Sequence, residues 1–160
     1  MPGFVIDCEN LHRTLAGLIR INSVNPSLVP GAAGEGEAAA CVKETLQLLG
    51  LEVAVREAEP GRPSVVGTLR GTGGGRSLML NGHLDTVGTE GMRDAFAPVV
   101  RDGRMYGRGA FDMKGGLAAS LAAVKALVDT DLAALNKAMN EAGVAHIAAP
   151  SAGGRGGGRP

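Results

Sequence analysis

The stretch SLMLNGHLD at residues 77–85 decides the predicted fold. Its apolar run over 77–82 is typical of a short, fully buried strand in a parallel sheet. Ligand sites in open α/β sheets form at the carboxyl ends of such strands, and His83 and Asp85 follow this run directly. The stretch therefore predicts an α/β protein with a functional site around these two side chains.

His83 and Asp85 carry a donor pattern that suits a metal site. Residues two apart in an extended segment point to the same side, so Asp85 can accept a ring N–H of His83 and decide which nitrogen binds metal. Asp112, in the stretch YGRGAFDMKGG at 106–116, offers a carboxylate from a separate loop. Imidazole plus carboxylate suits zinc or a similar divalent cation. Two simpler interpretations stay open: His83 and Asp85 form only a hydrogen-bonded pair, and Asp112 caps the helix that follows it.

The stretches 82–87 (GHLDTV) and 102–116 (DGRMYGRGAFDMKGG) closely resemble the M20 metallopeptidases. That family includes acetylornithine deacetylase, succinyl-diaminopimelate desuccinylase, carboxypeptidase G2 and the aminoacylases. The resemblance covers about residues 5–128. It implies that His83 binds one zinc ion, that Asp112 bridges two, and that Asp85 is the catalytic-site residue that orients His83; cobalt or manganese are alternative ions. It also implies hydrolysis of amide bonds in N-acyl amino acids or small peptides, with a glutamate as the general base.

The rest of the site that this resemblance implies has no counterpart in the sequence. Family members continue into a strand that ends in a Glu-Glu pair, which supplies the base and a further metal ligand, and the 160 residues contain no such pair. The later acidic residues and histidine stand in contexts that do not match the family: Asp129, Asp131, Glu141 and His146. We therefore expect a truncated hydrolase that is inactive as this chain. Whether it is an enzyme stays open, because a non-catalytic fragment or interaction protein that keeps the fold is the alternative.

The predicted architecture is a mixed, mostly parallel sheet flanked by helices, as in the catalytic domain of zinc exopeptidases. It occupies residues 1–128, followed by a helical segment without a family match at 129–147 and a disordered Gly/Arg-rich tail at 148–160. Periodicity and turn residues predict the elements within it. The predicted helices are 7–21, 35–49, 114–128 and 131–142; the predicted strands include 51–55 and 65–69, with a hairpin at Asp102-Gly103.

Composition narrows the classes of partner. Lysine and arginine together number 16, as do aspartate and glutamate, so no net charge attracts nucleic acid or a membrane surface. No stretch reaches the roughly 18 uninterrupted apolar residues of a membrane helix. Acidic Asp7 and Glu9 near the start argue against a secretory signal. We expect a cytoplasmic protein that binds a small-molecule substrate and, as a homo-oligomer, further copies of itself.

Overall fold

The computed structural model describes residues 5–71 and 76–141. Within these ranges the fold is mixed α/β, as predicted. In chain order its elements are α1 (Cys8–Arg20), α2 (Gly36–Leu48), β1 (Glu52–Glu59), β2 (Arg62–Thr68), β3 (Val99–Arg101), β4 (Arg104–Tyr106) and α3 (Gly115–Glu141). A single wide turn, Ala110–Lys114, in which Asp112 and Met113 have non-helical backbone angles, leads into α3 and is called the Asp112 turn below. The predicted tail at 148–160 lies outside the described residues.

The first two helices begin and end where local signals place them. The Asp7 carboxylate accepts a hydrogen bond from the backbone N–H of Asn10 at 2.9 Å and so caps the start of α1. Gly50, with a φ of +79°, follows α2 in the left-handed conformation that ends many helices. Both predicted helices are confirmed to within two residues.

Two antiparallel hairpins are the sheets of the described structure. β1 pairs with β2 over Glu52–Glu59, and β3 pairs with β4 across Asp102-Gly103. Both turn residues have positive φ, 52° at Asp102 and 70° at Gly103, which is the conformation of a two-residue type I′ turn. The predicted strands at 51–55 and 65–69 and the predicted turn are confirmed, and both strands extend beyond their predicted bounds.

One hydrophobic core joins the three helices to the first hairpin. Its buried members come from α1, α2 and α3: Leu18, Val42, Leu46, Ala118 and Leu121. Val53 of β1 and Val65 of β2 pack against this cluster, and so does Leu84, the residue between the two predicted site residues. The core therefore anchors one side of the segment that carries His83 and Asp85.

Helix α3 is longer than predicted. The sequence predicts one helix over 114–128 and a second over 131–142, but α3 continues without a break from Gly115 to Glu141. Asp129, Thr130 and Asp131 are weak helix formers that suggest a boundary, yet none of them removes a backbone donor as proline would. None of the helices in the described ranges has the length and apolar character needed to cross a membrane.

The apolar run at 77–82 differs from its prediction. The described structure has no strand there, and the side chains of Leu78 and Met79 are 85% and 82% exposed. Both hairpins are antiparallel, so the predicted mostly parallel sheet is not formed among the described residues; one isolated bridge, between Val24 and Thr86, pairs in parallel. A strand needs a partner for its backbone N–H and C=O groups, and neither hairpin pairs with this run.

Candidate metal centre

His83 and Asp112 converge although 29 residues separate them in the sequence. The imidazole Nε2 of His83 lies 2.9 Å from the carboxylate Oδ1 of Asp112. Both side chains face solvent, with 45% and 77% of their surface exposed. No described backbone N–H of α3 donates to the Asp112 carboxylate, so helix capping does not account for its position. The two predicted donors form an accessible pair at the protein surface.

Asp85 holds the other edge of the same imidazole. Its backbone oxygen lies 3.0 Å and its carboxylate Oδ1 lies 3.2 Å from Nδ1 of His83. A proton on Nδ1 thus has two acceptors in one residue, which supports the tautomer that an ion on Nε2 would require; without an ion, Nε2 faces the Asp112 carboxylate instead. The structure brings together all three residues that the sequence predicts for the site.

Opposing effects act on the protonation of His83. Partial burial of the ring lowers its pKa, while hydrogen bonds to Asp112 and to the Asp85 backbone, together with the two carboxylate charges, raise it. The second group of effects is stronger in total, so the pKa of His83 lies above its ordinary value. The same negative potential that favours an imidazolium also favours a bound cation, and the two compete for Nε2.

The donor spacing is close to what one metal ion requires. Two ligands that each bind a tetrahedral zinc at about 2.0–2.1 Å lie about 3.3 Å apart. The observed separation of 2.9 Å between Nε2 and Oδ1 is that of a hydrogen bond, so the pair would have to open by about 0.4 Å to admit an ion. No group of three or more His, Cys, Asp or Glu side chains that could hold a metal occurs in the described part of the chain. His83 and Asp112 therefore fit as two ligands of a site and not as a closed set.

Close packing positions the Asp112 turn. The backbone N–H of His83 donates to the Met113 sulfur at 3.3 Å, which links the two predicted motifs directly. Gly109 precedes the turn with a φ of +79°, and a Cβ built there would lie 2.8 Å from the Thr86 methyl group and 3.0 Å from Cδ of Lys114. A side chain at position 109 would therefore displace both neighbours, which is the physical reason for glycine there.

Lys114 is a buried residue of this turn that sequence reasoning missed. Its side chain is 2% exposed, and its Nζ donates to the backbone oxygen of Ile21, just after α1, at 2.7 Å. Burial lowers its pKa to about 8. Lysine is rarely buried, so nothing in the local sequence indicates this role. The contact ties the Asp112 turn to the end of α1.

Asn25 is the second residue that sequence reasoning missed. It was visible only as part of the loop-forming Asn25-Pro26 dipeptide. In the structure its Nδ2 donates to Oδ2 of Asp85 at 2.7 Å, across 60 residues of sequence. No local signal could have indicated a contact over that separation.

The chain matches the family model of peptidase family M20/M25/M40 over residues 79–153, a range that contains His83, Asp85 and Asp112. The chain belongs to this family. The match includes residues 129–147. No motif of the family is recognisable by eye in this segment.

Two curated relatives support the assignment to the M20 family. One is an N-formyl-4-amino-5-aminomethyl-2-methylpyrimidine deformylase of Bacillus subtilis, 40% identical over 93 residues, which are 54% of this chain and 22% of the relative. The other is the protein of the same name from Halalkalibacterium halodurans, 35% identical over 119 residues, which are 71% of this chain and 28% of the relative. The chain spans about a quarter of the length of the curated relatives it matches.

Proposed function

We propose that the chain carries part of the metal site of an M20 amide hydrolase, with His83 and Asp112 as metal ligands and Asp85 as the residue that orients His83. At the level of the family, metal-dependent amide hydrolysis is supported by the family match and by the deformylase relatives. The observation that carries the assignment to these residues is the 2.9 Å approach of Nε2 to Oδ1 at an exposed surface.

Zinc is the ion that we propose for this site, with cobalt and manganese as substitutes and a second ion as a neighbour. A neutral imidazole and a carboxylate are ordinary zinc ligands. When bound, such an ion supplies Lewis-acid chemistry, which polarises an amide carbonyl and activates water. The residues of this chain contribute orientation: Asp85 keeps the proton of His83 on Nδ1, and the Asp112 turn presents its carboxylate beside Nε2.

We propose a small N-acyl compound as the substrate class. Both relatives are named for removal of a formyl group from an amine-bearing pyrimidine, and a formamide is the smallest N-acyl group. The exposure of His83 and Asp112 leaves room for a ligand to reach them.

We further propose that these 160 residues alone do not turn over amide substrates. General-base catalysis needs a carboxylate or imidazole within reach of the attacking water. No described glutamate forms a hydrogen bond or ion pair with His83, Asp85 or Asp112, and the sequence holds no Glu-Glu pair. Hydrolysis of N-formyl or N-acetyl amines by the isolated chain with added zinc, abolished in Asp112→Ala, would contradict this part.

Calorimetric titration of the chain with zinc tests the metal site directly. We expect weak binding that falls at least about 10-fold in His83→Ala and in Asp112→Ala, because each change removes one of two ligands. His12→Ala and Asp129→Ala are matched controls: each removes an exposed side chain of the same type away from the site. Equal affinity in His83→Ala and the parent chain would overturn the assignment, and nanomolar affinity would show that further ligands take part.

A non-catalytic role as a self-associating chain is a second candidate, favoured by one observation. Leu78 and Met79 stand a few residues before His83 and Phe111 stands directly before Asp112 in the chain, and all three are exposed, Phe111 at 99%. We propose that the 77–82 segment obtains strand pairing, and with it part of the predicted parallel sheet, from a second copy of the chain. Exposed apolar segments with unpaired backbone groups are common sites of such association.

A further inference from the structure

The amide of Asn25 holds the carboxylate that orients the proposed metal ligand. Asn25 Nδ2 donates to Asp85 Oδ2 at 2.7 Å, and the other carboxylate oxygen, Oδ1, faces Nδ1 of His83 at 3.2 Å. We propose that Asn25 is a positioning residue: it fixes the rotation of the Asp85 carboxylate and, through it, the tautomer and direction of the His83 ring. The expected effect on metal binding rests on the proposed function, whereas the hydrogen bonds among Asn25, Asp85 and His83 are present without a metal ion.

The orientation of the Asn25 amide is decided by its second partner. Its Oδ1 accepts a hydrogen bond from the backbone N–H of Ser27 at 2.8 Å. The oxygen of the amide therefore points toward Ser27, and the NH₂ group points toward Asp85. With the amide reversed, its oxygen would face a carboxylate oxygen and its NH₂ would face an N–H, so both contacts would be lost.

Main-chain pairing places Asn25 beside Asp85 independently of the side chains. The backbone N–H of Asn25 donates to the Thr86 oxygen at 2.9 Å, and the Thr86 N–H donates to the Ser23 oxygen at 2.9 Å. These bonds form the parallel bridge between Val24 and Thr86. Because Thr86 follows Asp85 directly, the bridge holds the backbones of both partners in register before the Asn25 amide engages.

Asparagine suits this position because it orients a carboxylate without neutralising it. The guanidinium of Arg62 interacts electrostatically with Asp85, but two of its nitrogens bind the buried Glu35 carboxylate. None of the described hydrogen bonds or ion pairs of Arg62 involves the Asp85 carboxylate. A neutral donor contributes direction, while the full charge remains available to stabilise a proton on Nδ1.

The matched pair of variants is Asn25→Leu and Asn22→Leu. Leucine has nearly the shape of asparagine but neither donates nor accepts a hydrogen bond. Asn22 lies in the same segment and its Oδ1 accepts from the backbone N–H of Val24 at 3.2 Å, without a side-chain contact to Asp85. Both variants lose a side-chain to backbone hydrogen bond, and only Asn25→Leu releases the Asp85 carboxylate.

Two readouts separate a positioning role from a merely structural one. The ¹⁵N chemical shifts of the His83 ring in the metal-free chain, at about pH 9 where an ordinary imidazole is neutral, report its tautomer. In the metal-free parent chain each ring nitrogen faces an acceptor, Nδ1 at Asp85 and Nε2 at Asp112, so both neutral tautomers have a partner. We expect Asn25→Leu to lower the share of Nδ1–H relative to Nε2–H and to weaken zinc binding about 10-fold or more, as loss of an outer partner typically does. Asn22→Leu is expected to leave both values within error.

Unchanged ring shifts in a folded Asn25→Leu chain would overturn the positioning role, whatever happens to zinc. If the parent chain binds no zinc, the metal proposal fails while the ring shifts still decide the role of Asn25. If Asn25→Leu loses its native circular dichroism spectrum, Asn25→Ser serves in its place. Serine is too short to span the 2.7 Å contact from the same backbone and is compatible with the loop.

Discussion

Two segments meet at the candidate metal centre and are held in opposite ways. The segment at 21–27 is joined to the site by main-chain hydrogen bonds to Thr86, by the Asn25 amide and by Lys114. The apolar segment at 77–82 leads into His83 with Leu78 and Met79 largely exposed. The comparison teaches that hydrophobicity predicts burial only where the fold supplies a surface to bury against. The 21–27 segment has such a surface, since Ile21 and Val24 are buried, and its hydrogen bonds add a fixed direction to that burial.

The largest expected effect concerns Gly109, which packs against Thr86 and Lys114, two residues that bind the 21–27 segment. Gly109→Ala should lower the free energy of unfolding by about 2–4 kcal/mol, because it adds a strained positive φ and a clash with Thr86 and Lys114. Gly91→Ala is the matched control, since Gly91 has a φ of +70° but no atom within 4 Å of the added Cβ. It should cost only about 1–2 kcal/mol. Urea denaturation measures both, and equal costs would show that the packing at Gly109 is looser than described.

A second test uses the buried lysine of the same region. The pKa of Lys114 is about 8 in the folded chain and 10.5 ordinarily, so between these values the unfolded chain binds more protons. Stability should therefore rise with pH through this window, by up to about 3 kcal/mol. Well below pH 8, Lys114 is protonated in the folded and the unfolded chain, so its contribution to the free energy of unfolding does not change with pH. The rise should be absent in Lys114→Met and present in Lys125→Met, whose lysine is half-buried and pairs with Asp129.

That pH dependence is measured by urea denaturation at a series of pH values, with each variant compared with its parent at the same pH. Other groups titrate in the window, so only the difference between Lys114→Met and Lys125→Met isolates Lys114. A parallel course for the two variants would mean that the Lys114 ammonium is hydrated in the folded state.

A third test concerns Asp85, the carboxylate that the Asn25 amide of the 21–27 segment binds. Asp85→Ala should weaken zinc binding by about 10–100-fold, or about 1.4–2.7 kcal/mol, since the ring of His83 loses the carboxylate at Nδ1. Asp129→Ala removes an exposed carboxylate of α3 and should leave the affinity unchanged. If both variants bind zinc equally well, net charge and not orientation accounts for the contribution of Asp85.

The smallest expected effect concerns the exposed side. Leu78→Ser should change the free energy of unfolding by no more than about 0.5 kcal/mol, since Leu78 is 85% exposed. Leu121→Ala, in the core, should cost about 2–5 kcal/mol and shows that the assay detects burial. A cost of several kcal/mol at Leu78 would indicate that the segment is buried in solution, as the sequence predicts.

The same variant tests self-association. Size-exclusion chromatography with light scattering should show concentration-dependent dimers for the parent chain and fewer for Leu78→Ser. A parent chain that remains monomeric at high concentration would remove the second candidate function.

Much of the local structure could be predicted from the sequence alone. Asp7 caps α1, Gly50 ends α2 and Asp102-Gly103 turns the second hairpin, because each signal acts between residues only a few positions apart. Two stretches, GHLDTV and the one ending in Asp112, sufficed to identify the M20 family and the candidate ligands.

Only the tertiary structure decided how that site is held. Asn25 reaches Asp85 across 60 residues and Lys114 reaches Ile21 across 93, so neither contact leaves a pattern in the local sequence. Tertiary structure also decided the state of the 77–82 run, whose composition is that of a buried strand. Apolar composition indicates how much free energy burial would contribute. Burial and strand formation also need a partner surface, and the rest of the fold decides whether that surface is present.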